Sequence, residues 1–361
     1  MKNMKLFTSF RLGDLELPNR IVMAPLTRNR ATHDADAANE LMARYYTQRA
    51  SAGLIVAEAS PISQEGQGYI WTPGCYTDAQ VEGWRKVTSA VHKAGGRMFL
   101  QIWHVGRVSH VSLQPNNGAP VSSSPIQAEA KTYVASGFEP TSAPRALETA
   151  EIPRVLADYE HAARCAKAAG FDGVEIHGAN GYLIEQFLKD GCNKRTDKYG
   201  GSIENRCRFA LEVVDTVLKV WDKQKVGIRI SPVTPANGIS DSNPQPLYNH
   251  FVGELNKRGL VYIHVVEGAT GGARDVAPFD YGALRKAFSG AYMANNGYRR
   301  DMAEEAIASG RADLVAFGRP FISNPDLVER LRNDAPIAKW DLQTLYGGGE
   351  KGYIDYPTMA G

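Results

Sequence analysis

Gly173-Val174-Glu175-Ile176 runs straight into His177-Gly178-Ala179-Asn180-Gly181-Tyr182, a short β-branched run that ends in glycines and polar side chains. The same cycle recurs at 20–23, 54–57, 97–101, 226–230, 261–265, 291–294 and 314–316, with amphipathic helical stretches between. Most of these runs are continuously apolar rather than alternating, as strands of a parallel sheet buried on both faces should be. Eight such cycles predict a (β/α)8 TIM barrel, in which the strands' C-terminal tips carry the chemistry.

A chain of 361 residues is within the range of one barrel with insertions, so residues 1–361 read as a single domain. At this size roughly 75% of the unfolded surface is buried on folding, enough for a deep, dry pocket. A formal charge of +2 argues against a broad basic face for nucleic acid. Cys75, Cys165, Cys192 and Cys207 form no C-x-x-C pair, so reduced thiols in a cytoplasmic protein are expected. Residues 1–10 lack a signal-length apolar stretch, and no run approaches a membrane span. No obligate protein partner is implied.

Local signals set the phase of the repeat. Gly13 and Asp14 separate two apolar runs and predict a hairpin that plugs the bottom of the barrel. A helix is expected over 39–52, and Thr77 with Gln80 forms a capping box before another. Ser202 is an expected N-cap, as is Asn324 ahead of Pro325. Between the third strand and a helix starting near Glu151, residues 104–150 are rich in Ser, Pro, Asn and Gly and read as a capping excursion. Within it, 132–134 and 145–147 are expected to pair as a hairpin.

The strand tips exclude several chemistries. No lysine lies within the strand runs, against a Schiff-base aldolase. No dinucleotide-binding or P-loop glycine motif is present. His104, His177 and His264 could meet at the barrel mouth, so a metal-dependent hydrolase is a rival reading. Gly297 and the Gly318-Arg319 pair end strands seven and eight, where barrels commonly hold a phosphate. Arg229 interrupts an apolar strand and needs an anionic partner, either Glu175, Glu267 or a ligand. Gln101 offers a donor and an acceptor at the end of strand three. His177 and Asn180 can aim donors at one oxygen, and Tyr182 stands beside them with a phenolic proton.

A longer motif, Asp190-Gly191-Cys192-Asn193-Lys194-Arg195-Thr196-Asp197-Lys198-Tyr199-Gly200-Gly201-Ser202-Ile203-Glu204-Asn205-Arg206, adds a second kind of information. Together with the stretch from Asn19 through Pro25 to Thr27, the His177–Tyr182 cluster, Ala316 to Arg319, and the closing Tyr346 to Pro357, it resembles the old yellow enzyme family of FMN-dependent ene-reductases. The similarity is to classical bacterial members that also reduce nitrate esters and nitro compounds. The resemblance implies FMN with Pro25, Leu26, Thr27 and Ala59 against the isoalloxazine, and Gln101 and Arg229 on its pyrimidine edge. It implies the phosphate on Gly297, Gly318 and Arg319. His177 and Asn180 would bind the substrate oxygen, and Tyr182 would protonate the α-carbon after hydride reaches the β-carbon. The implied reductant is NADPH or NADH, in a ping-pong cycle with activated alkenes such as enones, maleimides and nitroalkenes. Tyr69, Trp103 and Tyr346 are expected to frame the substrate, and no metal is expected. Many bacterial relatives have a second histidine where this chain has Asn180, and no substrate-contacting side chain aligns within 268–276. A non-catalytic flavin-binding barrel is the remaining alternative.

Overall fold

The computed structural model describes residues 4–360; residues 1–3 of the amino-terminal segment read above, and residue 361, lie outside the described residues. Eight parallel strands close a barrel: β1 (Ile21–Met23), β2 (Leu54–Pro61), β3 (Met98–Trp103), β4 (Gly173–Gly178), β5 (Val226–Ile230), β6 (Tyr262–Val266), β7 (Ala291–Asn295) and β8 (Leu314–Phe317). Each strand pairs with its neighbours in chain order, and β8 returns to β1. The (β/α)8 expectation holds.

Alternation along the strands sorts side chains into two sets. Ile55, Leu100, Val174, Ile176, Ile228 and Ile263 point outward into the main core against the helices. Val22, Leu54, Val56, Phe99, Tyr262, Met293 and Leu314 point inward and meet Leu12 and Leu17. Those two leucines come from the hairpin Phe10–Leu12/Leu15–Leu17, which closes the lower end as expected. A Cβ at Gly227 would overlap the Tyr262 ring, so glycine there gives that tyrosine room to cross the interior.

β2 runs four residues beyond the apolar stretch 54–57, with a register shift before Ser60 pairs with Ile102. The extension reaches Pro61 because Glu58, Ala59 and Ser60 are buried at the barrel's upper end rather than solvated. The first helix is shorter than expected, Glu40–Thr47, with the Asn39 side chain accepting from Met42 N. The Thr77–Gln80 capping box and the Ser202 cap are present.

Two local expectations are corrected. Lys131–Val134 pairs with Gly137–Pro140, not with 145–147. A two-residue turn at Ala135 and Ser136 closes that hairpin at far lower entropic cost than the longer loop. Arg145–Ala146 pairs instead with Val121–Ser122, in parallel. Asn324 does not start a helix: it ends Arg319–Ser323, and the next helix, Leu327–Asn333, follows Asp326. The Asn324 amide is committed elsewhere, donating to Pro320 O at 2.8 Å and accepting from Ala338 N at 2.9 Å.

Candidate active site

Above the apolar floor the barrel interior turns polar. Glu175 on β4 is fully buried and accepts from Gln101 Nε2 at 2.8 Å and Tyr262 OH at 2.9 Å, with His264 Nδ1 also at 2.9 Å. Burial alone would raise its pKa, but His264, Arg229 and Tyr262 outweigh that and hold the carboxyl below its usual range. One strand over, in register with His177, Arg229 Nη2 donates to Asn295 Oδ1 at 2.7 Å. Its Nε is buried with no partner.

Neither expected ion pair of Arg229 forms. Glu175 is occupied as described, and Glu267 is bound by Tyr298 at 2.7 Å, Tyr292 at 3.1 Å and Arg274. Burial pulls the Arg229 pKa down, so this cation is held at a cost and offers a spare donor.

The loop after β4 is built to hold an unusual backbone. Asn180 has φ +59° and Gly181 φ +77°. Asparagine tolerates that region better than most residues. Ser231 Oγ accepts from Asn180 N at 2.8 Å and passes its own proton to Glu185 Oε1 at 2.7 Å. Glu185 Oε2 takes Gly181 N–H at 2.6 Å, and Lys189 neutralises the carboxylate at 3.0 Å.

His177 Nδ1 accepts from Ala179 N at 3.3 Å, which leaves Nε2 as the protonated, donating nitrogen. Burial, with Arg229 and His264 nearby, drives its pKa well below the ordinary value, so the ring is neutral. Tyr182 stands edge-on to it, ring centroids 5.0 Å apart, and edge-on to Trp103 at 4.9 Å. Its hydroxyl lies 3.2 Å from that of Tyr69, which stacks on Trp103. Burial raises the Tyr182 pKa, and hydrogen bonds from Tyr69 and Asn237 only partly offset this. The phenol keeps its proton at neutral pH.

These groups surround one cavity of about 750 Å³. Pro25, Leu26, Thr27, Asn180, Tyr182 and Arg229 line it, together with Tyr69 and Tyr346. Gly297, Gly318 and Arg319 line the same cavity, with Gly318 packed beside Leu26. Gly297 has φ +67°, and a Cβ there would meet nothing within 4 Å, so its backbone is open to a ligand. Ala59, Gln101, Trp103 and His177 are not on the cavity wall proper. Gln101 sits beneath it on Glu175, and Ala59 and Trp103 back Tyr69 and Tyr182.

The three tip histidines do not converge. His264 is spent on Glu175, His104 faces Glu65 at 3.5 Å, and His177 packs edge-on against Tyr182. Among the described residues no cluster of three or more His, Cys, Asp or Glu has metal-binding geometry, which removes the basis of the hydrolase reading. Sequence reasoning missed Asn295, which anchors Arg229, and Thr270, whose hydroxyl donates to Asn180 Oδ1 at 2.6 Å. Asn295 carried a legible signal, a polar residue at a strand tip. Thr270 carried none, because it lies in a glycine-rich loop without periodicity.

The family model for NADH:flavin oxidoreductase / NADH oxidase matches residues 5–337. The chain belongs to the old yellow enzyme family. It is 48% identical to 12-oxophytodienoate reductase 1 of Oryza sativa subsp. japonica, over 98% of this chain and 93% of that one. Morphinone reductase, solved with tetrahydroNAD, superposes with a TM-score of 0.93 at 48% identity, covering 99% of this chain and 98% of the other. The old yellow enzyme homologue of Zymomonas mobilis gives 0.94 at 44% identity, covering 98% and 99%. This old yellow enzyme is accordingly an FMN-dependent oxidoreductase of the ene-reductase type that takes its electrons from a nicotinamide cofactor. Two features of the cavity fit that flavin: the unpartnered Arg229 Nε and the open Gly297 backbone.

Proposed function

We propose that the protein reduces the carbon–carbon double bond of small enones, maleimides and nitroalkenes, with the residue roles that follow. FMN supplies the chemistry of carrying hydride from NADPH or NADH to the substrate β-carbon. Pro25, Leu26 and Thr27, with Ala59 behind the cavity wall, would hold its ring, and Arg229 Nε with Gln101 would meet its pyrimidine edge. Gln101 commits one of its two amide N–H donors to Glu175, which leaves the second N–H and the carbonyl oxygen for the flavin. Gly297, Gly318 and Arg319 take the phosphate. Residues 104–150 form a cap at the mouth, where Tyr133 and Phe138 reach the cavity.

The observation that carries this reading is that the Asn180 carboxamide and the Tyr182 phenol line one cavity while a neutral His177 packs edge-on against Tyr182. His177 Nε2–H and Asn180 Nδ2–H bind the electron-withdrawing oxygen, where negative charge grows as the β-carbon is attacked. A neutral imidazole donates there without surrendering a full proton. Tyr182 then delivers its proton to the α-carbon, and Trp103, Tyr69 and Tyr346 confine the substrate beside it. A single cavity that would hold both partners replaces a bimolecular encounter, an effect that contributes up to about 7–11 kcal/mol.

The test is a stopped-flow panel on the purified yellow protein with 2-cyclohexenone, a maleimide, a nitroalkene and a nitrate ester, after anaerobic reduction by NADPH or NADH. Reoxidation by the alkenes supports the proposal; FMN binding with no reoxidation by any of them supports a non-catalytic flavin barrel. The four cysteines are free and buried, in keeping with a cytoplasmic location, and no described helix is long and apolar enough to cross a membrane.

A further inference from the structure

We infer that Thr270, on the 268–276 loop, is a positioning residue that turns the Asn180 carboxamide so that its Nδ2–H points to the substrate oxygen. The inference rests on the role proposed above for Asn180. The backbone of Asn180 is already immobile: its N–H is held by Ser231 at 2.8 Å and its carbonyl oxygen accepts from Asn237 Nδ2 at 2.8 Å. What stays open is which end of the carboxamide faces the cavity. A primary amide can flip, and only one orientation presents a donor.

In the structure the carboxamide is turned with Oδ1 toward Thr270. Thr234 Oγ1 accepts from Thr270 N at 3.0 Å and from Ala236 N at 3.4 Å, which uses both of its lone pairs. Its own proton is therefore donated, and Thr270 Oγ1 lies 3.1 Å away to receive it. The Thr270 hydroxyl then donates onward to Asn180 Oδ1 at 2.6 Å. With Oδ1 held by the Thr270 hydroxyl in this way, Nδ2 is left without a protein partner among the described residues. Thr270, Gly271 and Gly272 line the same cavity, so the loop reaches the substrate oxygen through Asn180.

A double-mutant cycle on the FMN-loaded enzyme tests this. Thr270→Val keeps the shape and removes the hydroxyl, at the scale of one net hydrogen bond. We expect kcat/KM for 2-cyclohexenone to fall roughly two- to ten-fold, and Thr270→Ser to restore it. A binding readout runs in parallel: the Kd of the non-reducible ketone cyclohexanone for the oxidised holoprotein, followed by protein fluorescence, rises by a similar factor. In the Asn180→Ala background, Thr270→Val should change both quantities less than about two-fold, because its only route to the ligand is gone. A full additional loss in that background overturns the inference and marks a general effect on the loop. Failure of Thr270→Ser to rescue, or no effect of Thr270→Val beside a harmful Asn180→Ala, overturns it too. A harmless Asn180→Ala refutes the role of Asn180 itself, and the inference with it.

Discussion

Removing the Arg229 guanidinium should separate the stability of the protein from its affinity for FMN. In Arg229→Met the apoprotein loses the 2.7 Å bond to Asn295 and the attraction to Glu175 but also sheds a buried cation that makes no direct ion pair. These terms oppose each other, so the apoprotein melting temperature should move little. The flavin loses a charge-assisted hydrogen bond from the spare Nε. Such bonds contribute about 1.5–3 kcal/mol, which raises the Kd about 10- to 150-fold. At fixed excess FMN the ligand-induced stabilisation shrinks by the same energy. For a chain this long that is about 2–4 °C of holoprotein melting temperature. Isothermal titration and paired melts with and without FMN measure both quantities. Arg319→Met is the internal comparison. Arg319, proposed above for the phosphate, is exposed over Trp340, so its contribution should fade between 0.05 and 0.5 M salt on the order of Debye screening, whereas that of Arg229 should persist. An Arg229→Met protein that binds FMN within about threefold of wild type, or a salt-sensitive Arg229 effect, would refute the reasoning.

Tyr182→Phe should slow alkene reduction about 10²- to 10⁴-fold while leaving flavin reduction by NADPH nearly intact; equal slowing of both half-reactions counts against a proton donor. Because burial keeps His177 neutral, kcat/KM should show no His177 limb near its ordinary pKa, and an acid limb that vanishes in His177→Asn would contradict this. Glu58 is fully buried beside Tyr46, and burial raises its pKa to about 7. The folded state therefore holds this proton more tightly than the unfolded chain, and stability is lost as pH rises from the unfolded value through about 7, by up to about 3 kcal/mol. Glu58→Gln should match wild type in thermal melts at pH 5 and exceed it at pH 8, and a pH-independent gap would exclude the titration.

Much of the site was legible because barrels confine chemistry to strand tips, so a polar residue ending an apolar run is already a candidate. Tyr182, Asn180, Gly297, Gly318 and Arg319 were singled out that way, and all five line the cavity. Arg229 was singled out for the same reason, a charge where only apolar residues should be, but its partner was not. Glu175 and Glu267 were equally plausible on paper. Which of them is free depends on Tyr262, His264, Tyr292 and Tyr298, side chains of other strands that compete for the same lone pairs.

Periodicity, glycine placement and the length of each cycle are local properties, and they suffice for the eight strands, the plugging hairpin and the helix caps at Thr77 and Ser202. Pairing within the 104–150 excursion was not local in that sense: two short polar strands carry no register signal, and the nearer partner wins on loop entropy. The direction of the Asn180 amide is likewise absent from the chain as text. It emerges when β4, β5 and the loop after β6 bring Ser231, Thr234 and Thr270 around one asparagine, since a hydrogen bond's direction is set by which neighbours have already used their lone pairs.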